Sequence, residues 1–210
     1  MKIAVTRPAG QEQDLVGRLE ALGHEVVRCP LIAIEPLGDE PIDVSQYDWV
    51  VVTSANGARE LLRRAVGPMP RLAAIGPATA AVLGEAALVP SVATQEGLLA
   101  ELPRPAGRVL FAAAEGARTL LPEELDADVV FLYRTRELQP KEFPAADLVI
   151  LTSASAARAL AALTTGLPVV SIGPETSRAA REAGLRVLAE ASPHSSEGLA
   201  MAVARLAEHA

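Results

Sequence analysis

One segment of this chain recurs 99 residues further on, and that recurrence limits the possible folds more than any other feature. Asp48-Trp49-Val50-Val51-Val52-Thr53-Ser54-Ala55-Asn56-Gly57-Ala58-Arg59-Glu60-Leu61 reads again as Asp147-Leu148-Val149-Ile150-Leu151-Thr152-Ser153-Ala154-Ser155-Ala156-Ala157-Arg158-Ala159-Leu160. Ala74-Ile75-Gly76-Pro77-Ala78-Thr79 returns as Ser171-Ile172-Gly173-Pro174-Glu175-Thr176 at an offset of 97, and Glu96-Gly97-Leu98 as Glu197-Gly198-Leu199 at 101. Three blocks in one order and at nearly one spacing are poorly explained by chance. The period is too long for a solenoid repeat and has the size of a whole small domain. The chain is therefore expected to fold as two like domains facing one another, and a cleft between domains is a favoured place for a small ligand.

Bulk properties narrow the function. Half of the 210 residues are apolar but only 3% are aromatic, so two cores can be built, almost entirely from Ala, Leu and Val. A formal charge of −7 argues against a nucleic-acid partner, which would need a basic stripe, and stacking platforms for single strands are lacking. Cys29 is the single cysteine, which excludes an intrachain disulfide and a thiolate-clustered metal site. His24, His194 and His209 lie far apart without metal-ligand spacing, and each is expected to face solvent or finish a loop. Met1-Lys2-Ile3-Ala4-Val5 runs into a strand and a turn with no signal-peptide core. No segment approaches a spanning length without charges. A soluble, cytoplasmic protein without a membrane partner is expected.

The order of elements is legible in outline. Lys2 to Val5 is a strand ending in the turn Thr6-Arg7-Pro8-Ala9-Gly10. Leu15, Leu19 and Leu22 recur at helical spacing, Gly23 closes the helix, and Val26-Val27 begin the next strand. This β-α-β start has a partner of its own: residues 108–111 read as a strand, 112–117 as a turn, 119–125 as a helix and 129–132 as a strand. Strand–helix alternation throughout is the pattern of parallel sheets covered on both faces. The domain boundary stays open at this point. A linker near Pro103-Arg104-Pro105-Ala106 would keep the first β-α-β in one domain with the segment after it. The other arrangement joins residues 1–33 to the C-terminal half and inserts a central domain, with two crossing segments, 31–37 and 130–138, able to pair as an antiparallel ladder.

Ligands of open parallel sheets bind beyond the carboxyl ends of the strands, where helix N-termini point. Thr53-Ser54-Ala55-Asn56-Gly57, Thr152-Ser153-Ala154-Ser155, Gly76-Pro77-Ala78-Thr79 and Gly173-Pro174-Glu175-Thr176 all come after apolar runs at that position, and Ser195-Ser196-Glu197-Gly198 starts another helix. Each supplies hydroxyls, backbone amides and a helix dipole, which bind anions without net positive charge. Taken singly, a Ser, Thr or Asn before a helix is an ordinary N-cap. The same set in two facing domains points to a polyanionic ligand. No nucleophile elbow, Walker loop, HExxH or GxGxxG is present, and the second strand ends in Cys29-Pro30 where a ribose-binding acid would stand.

In their joint order these motifs resemble the uroporphyrinogen-III synthase family. The resemblance runs through Val5-Thr6-Arg7-Pro8, the block at Thr53, the turn at Gly76, Leu132-Tyr133-Arg134-Thr135, the block at Thr152, Ile172-Gly173-Pro174-Glu175-Thr176-Ser177-Arg178-Ala179-Ala180 and Ala191-Ser192-Pro193-His194-Ser195-Ser196-Glu197-Gly198-Leu199. It implies two similar parallel-sheet, flavodoxin-like α/β domains joined by a two-stranded linker, one of them discontinuous. The outer domain would comprise 1–33 plus 137–210, the inserted one 36–131, with linkers at about 31–37 and 130–138. The implied reaction takes hydroxymethylbilane, a linear tetrapyrrole with eight carboxylates, removes its hydroxyl as water, inverts the last pyrrole ring and closes the macrocycle to uroporphyrinogen III. The implied enzyme is a lyase that works as a monomer, with no cofactor and no metal.

For single residues, the resemblance implies roles through the matched motifs. Tyr133 is the group expected to assist departure of the hydroxyl; a phenol with a pKa of about 10 stays protonated at neutral pH, as such a donor must. Thr176, Ser155 and Ser153 are expected to bind or position carboxylates, with Thr53, Ser54 and Asn56 opposite them. Gly76, Thr79, Gly173 and Ser195 belong to the helix-start set, and Arg7 is the nearest cation to a strand end. One departure stands out: where the family commonly carries an Arg-Gly turn after residues 109–111, this chain has Ala112-Ala113-Ala114-Glu115-Gly116-Ala117-Arg118, leaving Arg118 or Arg134 as replacements. That departure also leaves open a second class of function, a non-catalytic protein of this fold that closes on a tetrapyrrole or another polyanion.

Overall fold

The computed structural model describes residues 1–163 and 166–208, so His209 lies outside the described residues. In chain order, β1 (Lys2–Val5), α1 (Gln13–Ala21), β2 (Glu25–Arg28) and β3 (Ile32–Pro36) come first, then β4 (Ile42–Asp43), β5 (Trp49–Val52), α2 (Ala55–Arg64), β6 (Ala65–Val66), β7 (Arg71–Ala74) and α3 (Pro77–Leu83). α4 (Gln95–Glu101), β8 (Val109–Ala114), α5 (Leu120–Leu125) and β9 (Asp128–Glu137) come next. The last run is β10 (Leu148–Leu151), α6 (Ala154–Leu163), β11 (Pro168–Ser171), α7 (Pro174–Glu182), β12 (Arg186–Glu190) and α8 (Ser196–Glu208). The chain divides into two compact units, Met1–Ala33 with Arg136–Ala210, and Ile34–Thr135, so the division falls inside β3 and inside β9.

The first unit holds a sheet in the order β12-β11-β10-β1-β2, every pair parallel. Counted along the unit's own chain that is strand order 2-1-3-4-5 read from the β2 edge, the flavodoxin-like doubly wound arrangement. The second sheet runs β3-β9-β8-β5-β7. If β8 and β9 are set against β1 and β2, and β5 and β7 against β10 and β11, the two orders coincide; a parallel bridge from Ala73 to Leu88 takes the place of β12. The out-of-phase repeat thus has a structural meaning: both units build one sheet, but the chain enters it at a different strand. β3 adds to the β9 edge. Leu37 N–H donates to Leu132 O and Leu138 N–H to Leu31 O, both at 2.8 Å, so this pair runs antiparallel. β4 and β6 form a separate two-stranded ladder.

β5, β8 and β10 are apolar at every position, and β1 at every position after Lys2, because both faces of these strands are covered. Along β1, Ile3 and Val5 pack with Leu15, Leu19, Leu199 and Val203 from α1 and α8, while Ala4 packs with Leu160 and Ala180 from α6 and α7. In the second unit, Val51 and Phe111 pack with Leu98 and Leu121 from α4 and α5, and Val50 and Val52 with Leu61 and Leu83 from α2 and α3. One sequence expectation needs correction. Residues 112–114 are not a turn: β8 continues to Ala114, and the chain turns only beyond it. An alanine run carries no side-chain signal for strand or turn, and pairing with β5 and β9 decides it.

The repeated aspartates explain how the chain-distant strands are seated. Asp147 N–H donates to Lys2 O at 2.8 Å, and Asp147 Oδ2 accepts from Lys2 N–H at 2.7 Å. In the other unit Asp48 N–H donates to Arg108 O, and Asp48 Oδ2 accepts from Arg108 N–H, both at 2.8 Å. Each aspartate therefore fastens the amino end of β10 to β1, or of β5 to β8. Gly107 is required beside Asp48: its φ is +74°, and a Cβ there would lie 2.2 Å from Asp48 Oδ2. Asp48→Ala and Asp147→Ala should each lower unfolding free energy by about 1 kcal/mol, the net worth of one hydrogen bond at an exposed site. Urea denaturation with unchanged slope measures it, and wild-type stability in both variants would deny the clamp any energetic role.

Candidate functional site

The carboxyl ends of each sheet meet a row of helix starts, and the place favoured for ligands is the point where strand order reverses. That point lies between β5 and β8 in the second unit and between β10 and β1 in the first. The sequence-predicted residues gather at these edges as two sets, one in each unit.

In the second unit Ser54 stands in extended backbone, and its Oγ accepts from Gly57 N–H at 2.9 Å, capping α2. The same Oγ lies 2.9 Å from the Tyr133 hydroxyl, and either oxygen can donate. Tyr133 reaches this position through an irregularity in β9. Ala113 faces Phe131 but Ala114 faces Tyr133, so Leu132 is an extra residue in the ladder. The bulge buries Leu132 and Tyr133 together, 0% and 6% exposed, where strict alternation would turn one of them outward. Burial pushes the Tyr133 phenol above its ordinary pKa, and the bond with Ser54 offsets part of that rise. The group is a neutral donor throughout the neutral range. Thr53 is half-buried in the same turn, and Asn56 Oδ1, on the first turn of α2, accepts from Arg59 Nη1 at 3.0 Å.

The first unit repeats part of this set. Ser153 Oγ accepts from Ala156 N–H at 3.1 Å and caps α6, and Ser155 Oγ accepts from Arg158 Nη2 at 3.2 Å. Ser195 Oγ accepts from Gly198 N–H at 3.1 Å and caps α8. Arg7 donates to Ser196 Oγ at 3.0 Å and to Gln11 O at 3.4 Å, which holds its guanidinium at the α8 start. Burial lowers the Arg7 pKa, with Asp14 opposing, and leaves it a cation. Gly76, Thr79, Gly173 and Thr176 are buried and shape their turns, so the exposed residues there are Pro77, Ala78, Pro174 and Glu175. The imidazole of His194 packs over Gly173, 3.3 Å from where a Cβ would stand.

Charge sorts the helix starts. Asp14, Glu96, Glu123, Glu175 and Glu197 sit in the first turns of α1, α4, α5, α7 and α8, whereas α2, α3 and α6 have no acid there. The positive dipole ends of those three helices thus lack a side-chain anion of their own. Neither replacement for the missing arginine is an isolated cation: Arg118 pairs with Glu96 at 2.5 Å and Arg134 with Glu115 at 3.7 Å. Sequence reasoning does not single out Arg59 and Arg158, although the repeat carries both at one position. Among the described residues no cluster of three or more metal-ligating side chains occurs, and no helix is long and apolar enough to cross a membrane.

Known proteins resemble this chain in sequence and in fold. The family described as uroporphyrinogen-III synthase HemD matches residues 13–201. The chain is 26% identical to a uroporphyrinogen-III synthase of Synechococcus elongatus over 96% of this chain and 93% of that one. It is 31% identical, over 89% and 91% of the two lengths, to an Archaeoglobus fulgidus protein whose assignment to the same synthase is provisional. A crystal structure of a mutant uroporphyrinogen III synthase from Thermus thermophilus aligns over all of both chains with a TM-score of 0.67 at 16% identity, and so shares the two-domain α/β fold.

The phenol's surroundings make a prediction of definite sign. Because the Ser54 bond lowers the Tyr133 pKa against the larger effect of burial, Ser54→Ala should move its titration further upward. Ultraviolet difference titration, with Tyr133→Phe identifying the transition, reads the shift. A downward or null shift would mean that Ser54 does not stabilise the phenolate. Since burial raises the folded-state pKa, the phenol's contribution to stability is complete below its unfolded value near 10 and falls as pH rises beyond it.

Proposed function

Given that the chain belongs to the uroporphyrinogen-III synthase family, we propose that it converts hydroxymethylbilane to uroporphyrinogen III, with Tyr133 assisting loss of the hydroxyl. The observation that carries the residue assignment is the hydrogen bond between buried Tyr133 and half-buried Ser54 at the strand-order reversal of the second unit. A protonated phenol there can donate to the departing oxygen as the carbon–oxygen bond breaks and water leaves. Ser54 fixes its direction while capping α2. Regenerating the acid needs one proton, which the ring-closing step releases.

The eight carboxylates of the substrate call for many donors. In an acidic protein, helix-start amides meet that need without a basic surface. The starts of α2 and α6, next to Thr53, Ser54, Ser153 and Ser155, combine amides with a first turn free of acids. Arg7 and Ser195 add a cation and a capped start at α8. Gly76, Thr79, Gly173 and Thr176 contribute by setting the backbone of their turns. A monomer acting in the cytoplasm completes the proposal.

Freshly generated hydroxymethylbilane separates catalysis from binding alone, because without an enzyme it closes to the uninverted isomer I. The wild-type chain should give mainly isomer III; isomer I at the spontaneous rate would refute the synthase. Tyr133→Phe should lower turnover by roughly 10²-fold, the usual cost of losing a general acid, while its residual enzymatic product stays isomer III. Full activity in that variant would remove the phenol from the mechanism.

A further inference from the structure

The chain contains a single asparagine, Asn56, and a glycine follows it. Asparagine is among the chemically labile residues, and most so before glycine, which leaves the next backbone nitrogen unhindered to attack the side-chain amide. In the first unit the repeat has Ser155-Ala156 at this place, where that chemistry is closed. The glycine is kept by packing. A Cβ on Gly57 would stand 3.1 Å from Ser54 Oγ, 3.4 Å from Val52 Cγ1 and 3.6 Å from Ala112 O, so the first turn of α2 lies close against β5 and β8.

Two features of the α2 start act in opposite directions. Asn56 and Gly57 are the second and third residues of the helix, and helical backbone holds the Gly57 nitrogen away from the Asn56 amide carbon. That nitrogen is also one of the first four of the helix, which have no carbonyl partner within it. Its N–H donates instead to Ser54 Oγ at 2.9 Å, the oxygen that also meets the Tyr133 hydroxyl. A side-chain hydrogen bond thus holds the nucleophile, and losing it loosens the turn. The product of deamidation suits the site. An aspartate at this position adds a carboxylate to a first turn that has no acid, beside Arg59, whose Nη1 already donates to Asn56 Oδ1 at 3.0 Å.

We propose that Asn56 is a site of spontaneous deamidation, gated by opening of the Ser54-capped first turn of α2. In the open turn the Gly57 nitrogen gives up its proton and bonds to Asn56 Cγ, the Cγ–Nδ2 bond breaks, and ammonia leaves with that proton. Water then opens the cyclic imide. Attack at Cγ restores the peptide bond and leaves aspartate; attack at the backbone carbonyl gives isoaspartate, whose extra backbone methylene does not fit a helix. The chemistry is internal to the chain, so its test needs no substrate.

With no other asparagine present, the mass of the intact protein reports this site, since glutamine side chains cyclise far more slowly. At mildly alkaline pH the folded wild-type chain should gain the mass of an amide-to-acid change roughly tenfold more slowly than the chain in urea. Folded Ser54→Ala should deamidate about fivefold faster than folded wild type, the factor set by losing one N-cap. In urea the two should be equal, and Asn56→Gln should gain no mass on the same timescale. Asn56→Asp should raise the ratio of folded to unfolded chain by roughly two- to fivefold in a urea titration. No mass gain in folded Ser54→Ala while the unfolded chain converts would overturn the site. Equal rates in folded and unfolded wild type, or in folded wild type and Ser54→Ala, would overturn the gate, and a less stable Asn56→Asp would overturn the pairing with Arg59. Circular dichroism checks that Ser54→Ala folds; if it does not, wild type in urea below its unfolding transition takes its place, where the rate should already climb.

Discussion

Everything in the first unit depends on one pairing between segments far apart in the chain, β1 against β10. Ile3, Ala4 and Val5 lie opposite Leu148, Val149 and Ile150, and the seam is fastened at its amino end by Asp147. Without that seam, β1, α1 and β2 have no sheet to join, and the faces of α1 and α8 that bury Leu15, Leu19, Leu199 and Val203 have nothing to cover. β5 against β8 plays the same part in the second unit, with Asp48 at the seam. Both seams are also the places where strand order reverses, so the pairings that hold the units together create the positions at which α2 and α6 start.

Chemistry is added to this frame by small local departures. A single extra residue in β9 turns Tyr133 inward, and the capping hydroxyl of α2 meets it there. The rise in the phenol's pKa comes from burial, not from a nearby negative charge: desolvation is the larger cause of its shift and Ser54 acts the other way. Charge is distributed over the helix starts with similar economy. Five helix starts carry their own acid, and the three that do not are α2, α3 and α6.

The fold class can be read from sequence because apolar runs and capping residues recur in order, and a parallel sheet writes itself as uninterrupted runs such as Val50 to Val52 and Val149 to Leu151. The blocks at Thr53 and Thr152 fall on the β5–α2 and β10–α6 turns, where residue type signals a helix start. Other features leave no such mark. The end of β8 depends on pairing partners, so Ala112 to Ala114 resemble a turn in sequence alone. The bulge at Leu132 depends on register, and nothing in Phe131-Leu132-Tyr133 announces which residue is the extra one. Thr79 and Thr176 read as accessible hydroxyls but are 4% exposed, because the third helical residue after a Gly-Pro turn faces inward here. Arg59 and Arg158 are visible as letters, but the direction of a long side chain is set in three dimensions.

The seam between β1 and β10 also imposes a timetable on synthesis. Ile3 leaves the ribosome 145 residues ahead of its partner Leu148. At about 5–20 residues per second that is a wait of roughly 7–30 s. In the interval the second unit, continuous from Ile34 to Thr135, is complete and free to fold, while β1 and β2 stay apolar with an open edge. The nascent chain therefore carries β1 as an unpaired apolar strand past the whole of the second unit, and only β10 closes its edge.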